Sequence, residues 1–160
     1  MTALDDAEQA WLAETVRQAN ANVHTGGGPF AATVLRAGVV VATGANQVVP
    51  NLDPTAHAEV VAIRAACRAL GTHSLAGCLL ISSCEPCPMC LAAALWSRVD
   101  QVVYAADRYD AAEAGFDDLA FYRLFETDGP AWPIRVTHRP IDARRAPFLA
   151  WADFADRVEY

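Results

Sequence analysis

Two short segments, Thr55-Ala56-His57-Ala58-Glu59 and Pro86-Cys87-Pro88-Met89-Cys90, restrict the fold of this chain more than any other part of it. A single metal ion gripped by both would bring them within a few ångströms of each other. Cys87 and Cys90 are three apart just after Pro86, a residue suited to open a helix, so their sulfurs share one face. Both fall in a first turn, where unpaired backbone N–H groups favour thiolates. His57 and Glu59 fall in the first turn of another predicted helix. Two helix N-termini facing each other would surround one cation with an imidazole and two thiolates. Zinc usually takes four protein ligands when it only stabilises a fold; three leave a position open for water, which the metal can acidify to roughly pH 7. The expected ligands of one Zn²⁺ per subunit are therefore His57, Cys87 and Cys90. Glu59, two residues from the histidine, is the expected catalytic proton carrier.

Cys84 offers a third sulfur at the same interval. It precedes Glu85-Pro86, and the residue before a proline is pushed away from helical geometry, so Cys84 should sit outside the helix as a buried small side chain. Cys67 and Cys78 have apolar neighbours and suit core packing. Five cysteines, three of them between Cys84 and Cys90, point to metal chemistry in a reducing compartment more than to a disulfide framework. His24, His73 and His138 have no partner at metal-ligand spacing and are expected on the surface or in packing.

With 160 residues, 54% of them hydrophobic, the chain suits one domain with a full core, spanning 1–160. Twelve basic residues against 19 acidic ones give a net charge of −7, which opposes any partner bound by neutralising many phosphates. Nucleic acid is not expected, and a small uncharged substrate is. Met1 to Ala10 carries acids and no basic n-region, and no apolar run approaches the ~18–20 residues of a membrane span. The expected location is the cytoplasm, with no membrane partner.

Leu12, Val16, Ala19 and Val23 recur at helical spacing, predicting an amphipathic helix near 5–23 that Gly26-Gly27-Gly28-Pro29 ends. Phe30–Leu35 and Val39–Ala42 read as a hairpin about Ala37-Gly38. Asp53 can cap a helix with Pro54 at its first position, running to Leu70 before Gly71. Cys78–Ser83 is a buried strand, Pro86 opens a helix reaching Ser97, and Gln101–Ala106 is the next strand. That order is most simply a right-handed βαβ unit, which makes the sheet mixed. Helices are expected over Ala111–Phe125 and Pro147–Val158, a fifth strand over Ile134–His138, and a loop at Thr127–Pro130. The expected fold is α/β, a three-layer α/β/α sandwich around a mixed five-stranded sheet.

The pair His-x-Glu and Pro-Cys-x-x-Cys is the signature of zinc deaminases. The chain resembles the cytidine deaminase-like superfamily, and within it the small bacterial guanine deaminases. The likeness runs in order through Gly27-Gly28-Pro29-Phe30, Asn46, Asn51 to Glu59, Ser82 to Cys90, Asp110 to Asp118 and the closing Glu159-Tyr160. The Ala114-Gly115-Phe116-Asp117-Asp118 and terminal tyrosine segments discriminate, because cytidine, deoxycytidylate and tRNA adenosine deaminases share the zinc motifs.

The resemblance implies hydrolysis of the 2-amino group of guanine to xanthine and ammonia, with Glu59 carrying the proton to the departing nitrogen. It implies that the base stacks on Phe30, that Asn46, Asp118 and Tyr160 hold its edge, and that Ala58 is a further substrate contact. It also implies a homodimer in which a C-terminal segment of about 147–160 is swapped between subunits, with Trp96 near the completed pocket. One departure stands out. Some guanine deaminases place a second glutamate a few residues before the Pro-Phe pair matching Pro147-Phe148, where this chain reads Ile141-Asp142-Ala143-Arg144-Arg145-Ala146 and Asp142 is the candidate substitute. Asp142 is one methylene shorter, so isoguanine, ammeline-type triazines, cytosine or its analogues stay open as substrates, as do, at a greater distance, a tRNA adenosine deaminase and a non-catalytic zinc-stabilised dimerisation domain.

Overall fold

The computed structural model describes residues 6–127 and 132–159. Asp128, Gly129 and Pro130 of the expected loop lie outside the described residues, as does Tyr160. The chain forms two compact units, one ending at Tyr122 and the other beginning at Arg123.

The first unit is built on a four-stranded sheet in the order β2-β1-β3-β4, from β1 (Ala31–Arg36), β2 (Val39–Ala45), β3 (Cys78–Cys84) and β4 (Gln101–Ala106). Ala37 and Gly38, both at positive φ (50° and 77°), turn β1 into β2 as a tight hairpin. β1 also pairs antiparallel with β3, and β3 pairs parallel with β4. Helix α4 (Pro88–Trp96) makes the crossover between the parallel strands, so the expected mixed sheet and βαβ unit are present.

Helices cover both faces of the sheet, because side chains alternate along β1. Thr33 faces helix α1 (Asp6–Val23), with its Oγ1 2.9 Å from Thr15 Oγ1 in a buried pair. Ala32 and Val34 face the other way, into the core cluster with Ala58, Ala62, Ile63 and Ala66 of helix α3 (Ala58–Leu70). α1 therefore buries Thr15, Ala19 and Asn22, while Val16 and Val23 of the expected apolar stripe are exposed. Polar residues face inward there because each finds a hydrogen-bond partner across the sheet or loop.

Gly44 lets α3 lie flush on β2: a Cβ there would stand 2.4 Å from Ala58 O and 2.5 Å from the Ala62 nitrogen. α3 starts at Ala58, later than the Asp53-Pro54 start that the sequence suggests. Asp53 Oδ1 instead accepts from the Thr55 nitrogen (2.8 Å) and hydroxyl (2.7 Å), and the Gln47 nitrogen donates to Ala56 O at 2.9 Å. These bonds hold 53–56 as a turn against a short helix, α2 (Val48–Asn51), that the sequence did not announce. Gly71, at φ +65°, ends α3 as expected.

The helix expected over Ala111–Phe125 is two helices. α5 (Arg108–Glu113) opens on a capping box between Asp107 and Asp110, Gly115 at φ +90° follows it, and α6 (Asp118–Phe125) follows that.

The fifth strand does not form. Ile134–His138 is irregular among the described residues, Ile134 and Val136 are 65% and 68% exposed, and Pro133 and Pro140 bracket the segment without N–H groups to donate. In this second unit Trp132 Nε1 donates to Leu124 O at 3.2 Å and its ring meets Phe125 edge-on at 5.5 Å. A 3₁₀ turn over Asp142–Arg145 leads into α7 (Ala146–Asp153), which stops short of the expected Val158.

Candidate metal and substrate site

His57 is the N-cap residue of α3 and Cys87 the N-cap residue of α4, both in extended backbone conformation, and Cys90 lies in the first turn of α4. His57 Nδ1 stands 3.6 Å from Cys87 Sγ and 3.5 Å from Cys90 Sγ, and the two sulfurs are 3.6 Å apart. A tetrahedral zinc ~2.3 Å from sulfur and ~2.0–2.1 Å from nitrogen separates its ligand atoms by about 3.6–3.8 Å. The three side chains fit that ion in donor type and spacing, and they are the one such metal-holding group among the described residues. Without a metal the sulfurs share charge unequally. The hydrogen bond between Cys90 and Cys87 holds the Cys87 pKa well down with help from His57, and the same bond together with burial pushes Cys90 up. The bond to Cys87 raises the His57 pKa. A bound cation would displace these protons.

Cys84 ends β3, outside α4, and its buried thiol points to Asp107 O at 3.6 Å. Burial pushes its pKa up to about 12, so it stays a neutral thiol. Cys78 is a core residue and Cys67 is half-buried, its thiol 3.8 Å from His73 O.

Glu59, in the first turn of α3, is only 6% exposed, and Ser82 Oγ of β3 donates to its Oε1 at 3.0 Å. Burial raises its pKa above the usual carboxylate value, so its affinity for a proton is enhanced.

A cavity of about 230 Å³ opens beside these groups, with His57, Glu59 and Cys87 in its wall. That is below the roughly 300–1,000 Å³ of pockets for drug-sized ligands and suits one small ring system. Phe30 and Phe116 meet edge-on in the wall, 4.8 Å between centroids. Asn46 Oδ1 accepts from the Gly28 and Val48 nitrogens at 3.4 and 3.3 Å, so its amide nitrogen is the donor left to the cavity it lines. Buried Asn22 of α1 braces both sides: its Nδ2 donates to Gly28 O (2.8 Å) and Asn46 O (2.9 Å). Asp118, at the start of α6, supplies a carboxylate whose pKa is raised by burial and by the charge on Cys87.

Residues 5–106 match the family model of the cytidine and deoxycytidylate deaminase zinc-binding region. The chain belongs to this zinc deaminase family. The deaminase is 44% identical over 153 residues to the guanine deaminase of Bacillus subtilis (strain 168), covering 95% of this chain and 98% of that one. The crystal structure of the Bacillus subtilis guanine deaminase matches it with a TM-score of 0.91 over the same shares. NE0047, in its crystal structure with 2,6-diaminopurine, is 39% identical with a TM-score of 0.68, over 72% of this chain and 65% of that one. The tRNA-specific adenosine deaminase of Aquifex aeolicus is 37% identical over 99 residues, 62% of this chain and 66% of that one. The deaminase is a zinc-dependent hydrolase, and His57, Cys87 and Cys90 are positioned for its one zinc ion.

Of the other expected site residues of this deaminase, Phe30, Asn46 and Asp118 line the cavity. Ala58 is fully buried in the core under β2 and is absent from the cavity wall. Trp96 ends α4, 61% exposed, with the Arg98 guanidinium 5.7 Å above its ring. Sequence reasoning missed Ser82, Asn22 and Glu85. Ser82 and Glu85 lie inside the quoted Ser82–Cys90 motif, where a polar residue in a buried strand and an acid beside the Pro-Cys pair were available signals. Asn22 carried none, because its partners come from the 28–46 region and are met only on folding.

Proposed function

We propose that this deaminase hydrolyses guanine to xanthine and ammonia. One observation carries the reading: the His57, Cys87 and Cys90 triad and the buried Glu59 carboxylate stand at a small cavity that also offers an aromatic wall, an amide donor and a carboxylate acceptor. The match to a guanine deaminase over nearly the whole chain supports the choice of base.

Zinc held by the triad supplies a Lewis acid that makes water a nucleophile near neutral pH. Phe30 and Phe116 present apolar surface to a planar base. The Asn46 amide nitrogen donates to a ring acceptor, and the Asp118 carboxylate accepts from ring or amino N–H groups. Glu59 takes a proton from the attacking water and delivers it to the departing amino nitrogen, so that water and guanine leave as xanthine and ammonia. Its seat in the cavity wall and its hydrogen bond from Ser82 support that role.

The functional unit in this reading is a cytoplasmic homodimer whose subunits are each one catalytic domain of residues 1–160, with about 147–160 exchanged so that Tyr160 completes the partner's cavity near Trp96. Support comes from exposed apolar residues: Phe148, Leu149 and Phe154 are more than half exposed, as is Leu95 on α4. No helix among the described residues is long and apolar enough to cross a membrane. The charge of −7 favours a free base over a nucleic acid.

The Ile141–Ala146 segment favours a second reading, another amino base, because its one acid, Asp142, is a methylene shorter than the glutamate of some guanine deaminases. Ammonia release from zinc-loaded protein against guanine, guanosine, isoguanine, adenine, cytosine and ammeline separates the two. Guanine turnover without guanosine turnover is expected; turnover of other bases with guanine inert would move the specificity to the second reading.

A further inference from the structure

Glu85 lines the cavity two residues before the ligand Cys87, yet both its oxygens are taken. Oε2 accepts from Arg108 Nε at 2.9 Å and from the Arg108 backbone nitrogen at 3.0 Å, and Oε1 accepts from Arg108 Nη2 at 2.5 Å. This is a forked guanidinium–carboxylate pair whose side chains are only 27% and 12% exposed. Glu85 is therefore a structural anchor, and proton transfer stays with Glu59.

The guanidinium is held from its other side as well. It lies 3.4 Å over the ring of Tyr122 on α6, and the Tyr122 hydroxyl donates to Pro86 O at 2.6 Å. The Glu85 nitrogen in turn donates to Ala106 O at the end of β4. Residues 85–86, directly before Cys87, are thus tied to the first residue of α5 and to α6. The chain between those two contacts carries Phe116 and Asp118 to the cavity and includes the Gly115 turn.

We propose that Arg108, gripped between Glu85 and the Tyr122 ring, is a positioning residue that fixes Phe116 and Asp118 relative to the metal ligand Cys87 and so sets how tightly the cavity holds its base. The inference rests on the reading of the cavity as a nucleobase site. A planar fork is required for it. Lysine would keep the charge while losing the second hydrogen bond and the face that stacks on Tyr122. Displacement of a substrate-holding group by about 1 Å is enough to lower kcat/KM strongly.

The test compares zinc-loaded, full-length wild type with Arg108→Lys, Tyr122→Phe, Asp118→Asn and the double variant Arg108→Lys/Asp118→Asn, measuring zinc content, thermal unfolding, and kcat and KM for guanine. Arg108→Lys is expected to stay folded with one zinc and to raise KM by about tenfold or more, with kcat changed much less. Tyr122→Phe, which keeps the stacking ring, is expected to shift KM in the same direction by less. In the Asp118→Asn background, Arg108→Lys should add less than it does in the wild type, because part of its effect runs through Asp118. Unchanged KM in a folded, zinc-loaded Arg108→Lys, or effects that simply multiply in the double variant, would overturn the role of Arg108. A zinc-loaded wild type inert toward guanine would instead overturn the reading of the cavity on which it rests.

Discussion

Ser82 donates its hydroxyl to Glu59 Oε1 across 3.0 Å, from the buried strand β3 to the first turn of α3. The Cys90 thiol and Ser82 both hydrogen-bond the carboxylate, and both oppose the burial that raises the Glu59 pKa. Ser82→Ala should leave zinc bound, lower kcat by about tenfold or more as a charge-assisted hydrogen bond is lost, and move the acid limb of the kcat/KM profile to higher pH. A variant with wild-type kcat and an unmoved acid limb would show that Ser82 does not orient the proton carrier.

Metal-free protein should reveal the burial of Glu59 in its pH dependence of stability. The folded form keeps the Glu59 proton at pH values where the unfolded chain, titrating near 4.5, has released it. The folded state then binds more protons, so this contribution is fully present below about 4.5 and is lost as pH rises through the raised folded value. Chemical unfolding of the metal-free wild type and of Glu59→Gln across that range should show an extra downward slope in the wild type alone. Parallel curves would contradict the burial of an ionisable group there.

Ligand assignment is checked by metal content. His57→Ala, Cys87→Ala and Cys90→Ala should each lose most of the zinc on dialysis against a weak chelator, whereas Cys84→Ala should keep one ion per chain, since its thiol is turned to Asp107 O. Zinc loss in Cys84→Ala matching that of the other three would remove it from its place as a buried neutral thiol.

Asn22→Ala takes away the amide nitrogen that joins Gly28 O to Asn46 O and leaves two carbonyls without that donor. The expected cost is about 1–3 kcal/mol of stability and a raised KM for the base, because the cavity-lining Gly28 and Asn46 lose their common brace. Unfolding measurements beside steady-state kinetics read both effects, and a stable variant with unchanged KM would rule out the bracing role.

What could be read from the chain before folding divides along the range of the interactions. His57, Glu59, Cys87 and Cys90 declare themselves because two short spacings already fix shared helix starts, and Cys84 is set apart by the prolines that follow it. Phe30, Asn46 and Asp118 have no local signal for a cavity; resemblance alone picked them out. Asn22, Ser82 and Arg108 each act on a partner 23 or 24 residues away, beyond any periodicity. Local grammar also misled. Asp53-Pro54 is a sound helix start that a bond from Gln47 to Ala56 overrides, and Ile134–His138 alternates like a strand but has no partner ladder among the described residues. Gly115 inside an otherwise helical pattern was the available sign that Ala111–Phe125 is two helices.

The most direct test of the account is xanthine formation from guanine, followed side by side for wild type and Glu59→Ala, each folded and each carrying one zinc per chain. The account predicts steady xanthine and equimolar ammonia from the wild type, and a rate lower by a factor of at least ~10² from the variant. Undiminished xanthine formation by zinc-loaded Glu59→Ala, or none from the zinc-loaded wild type, would contradict it.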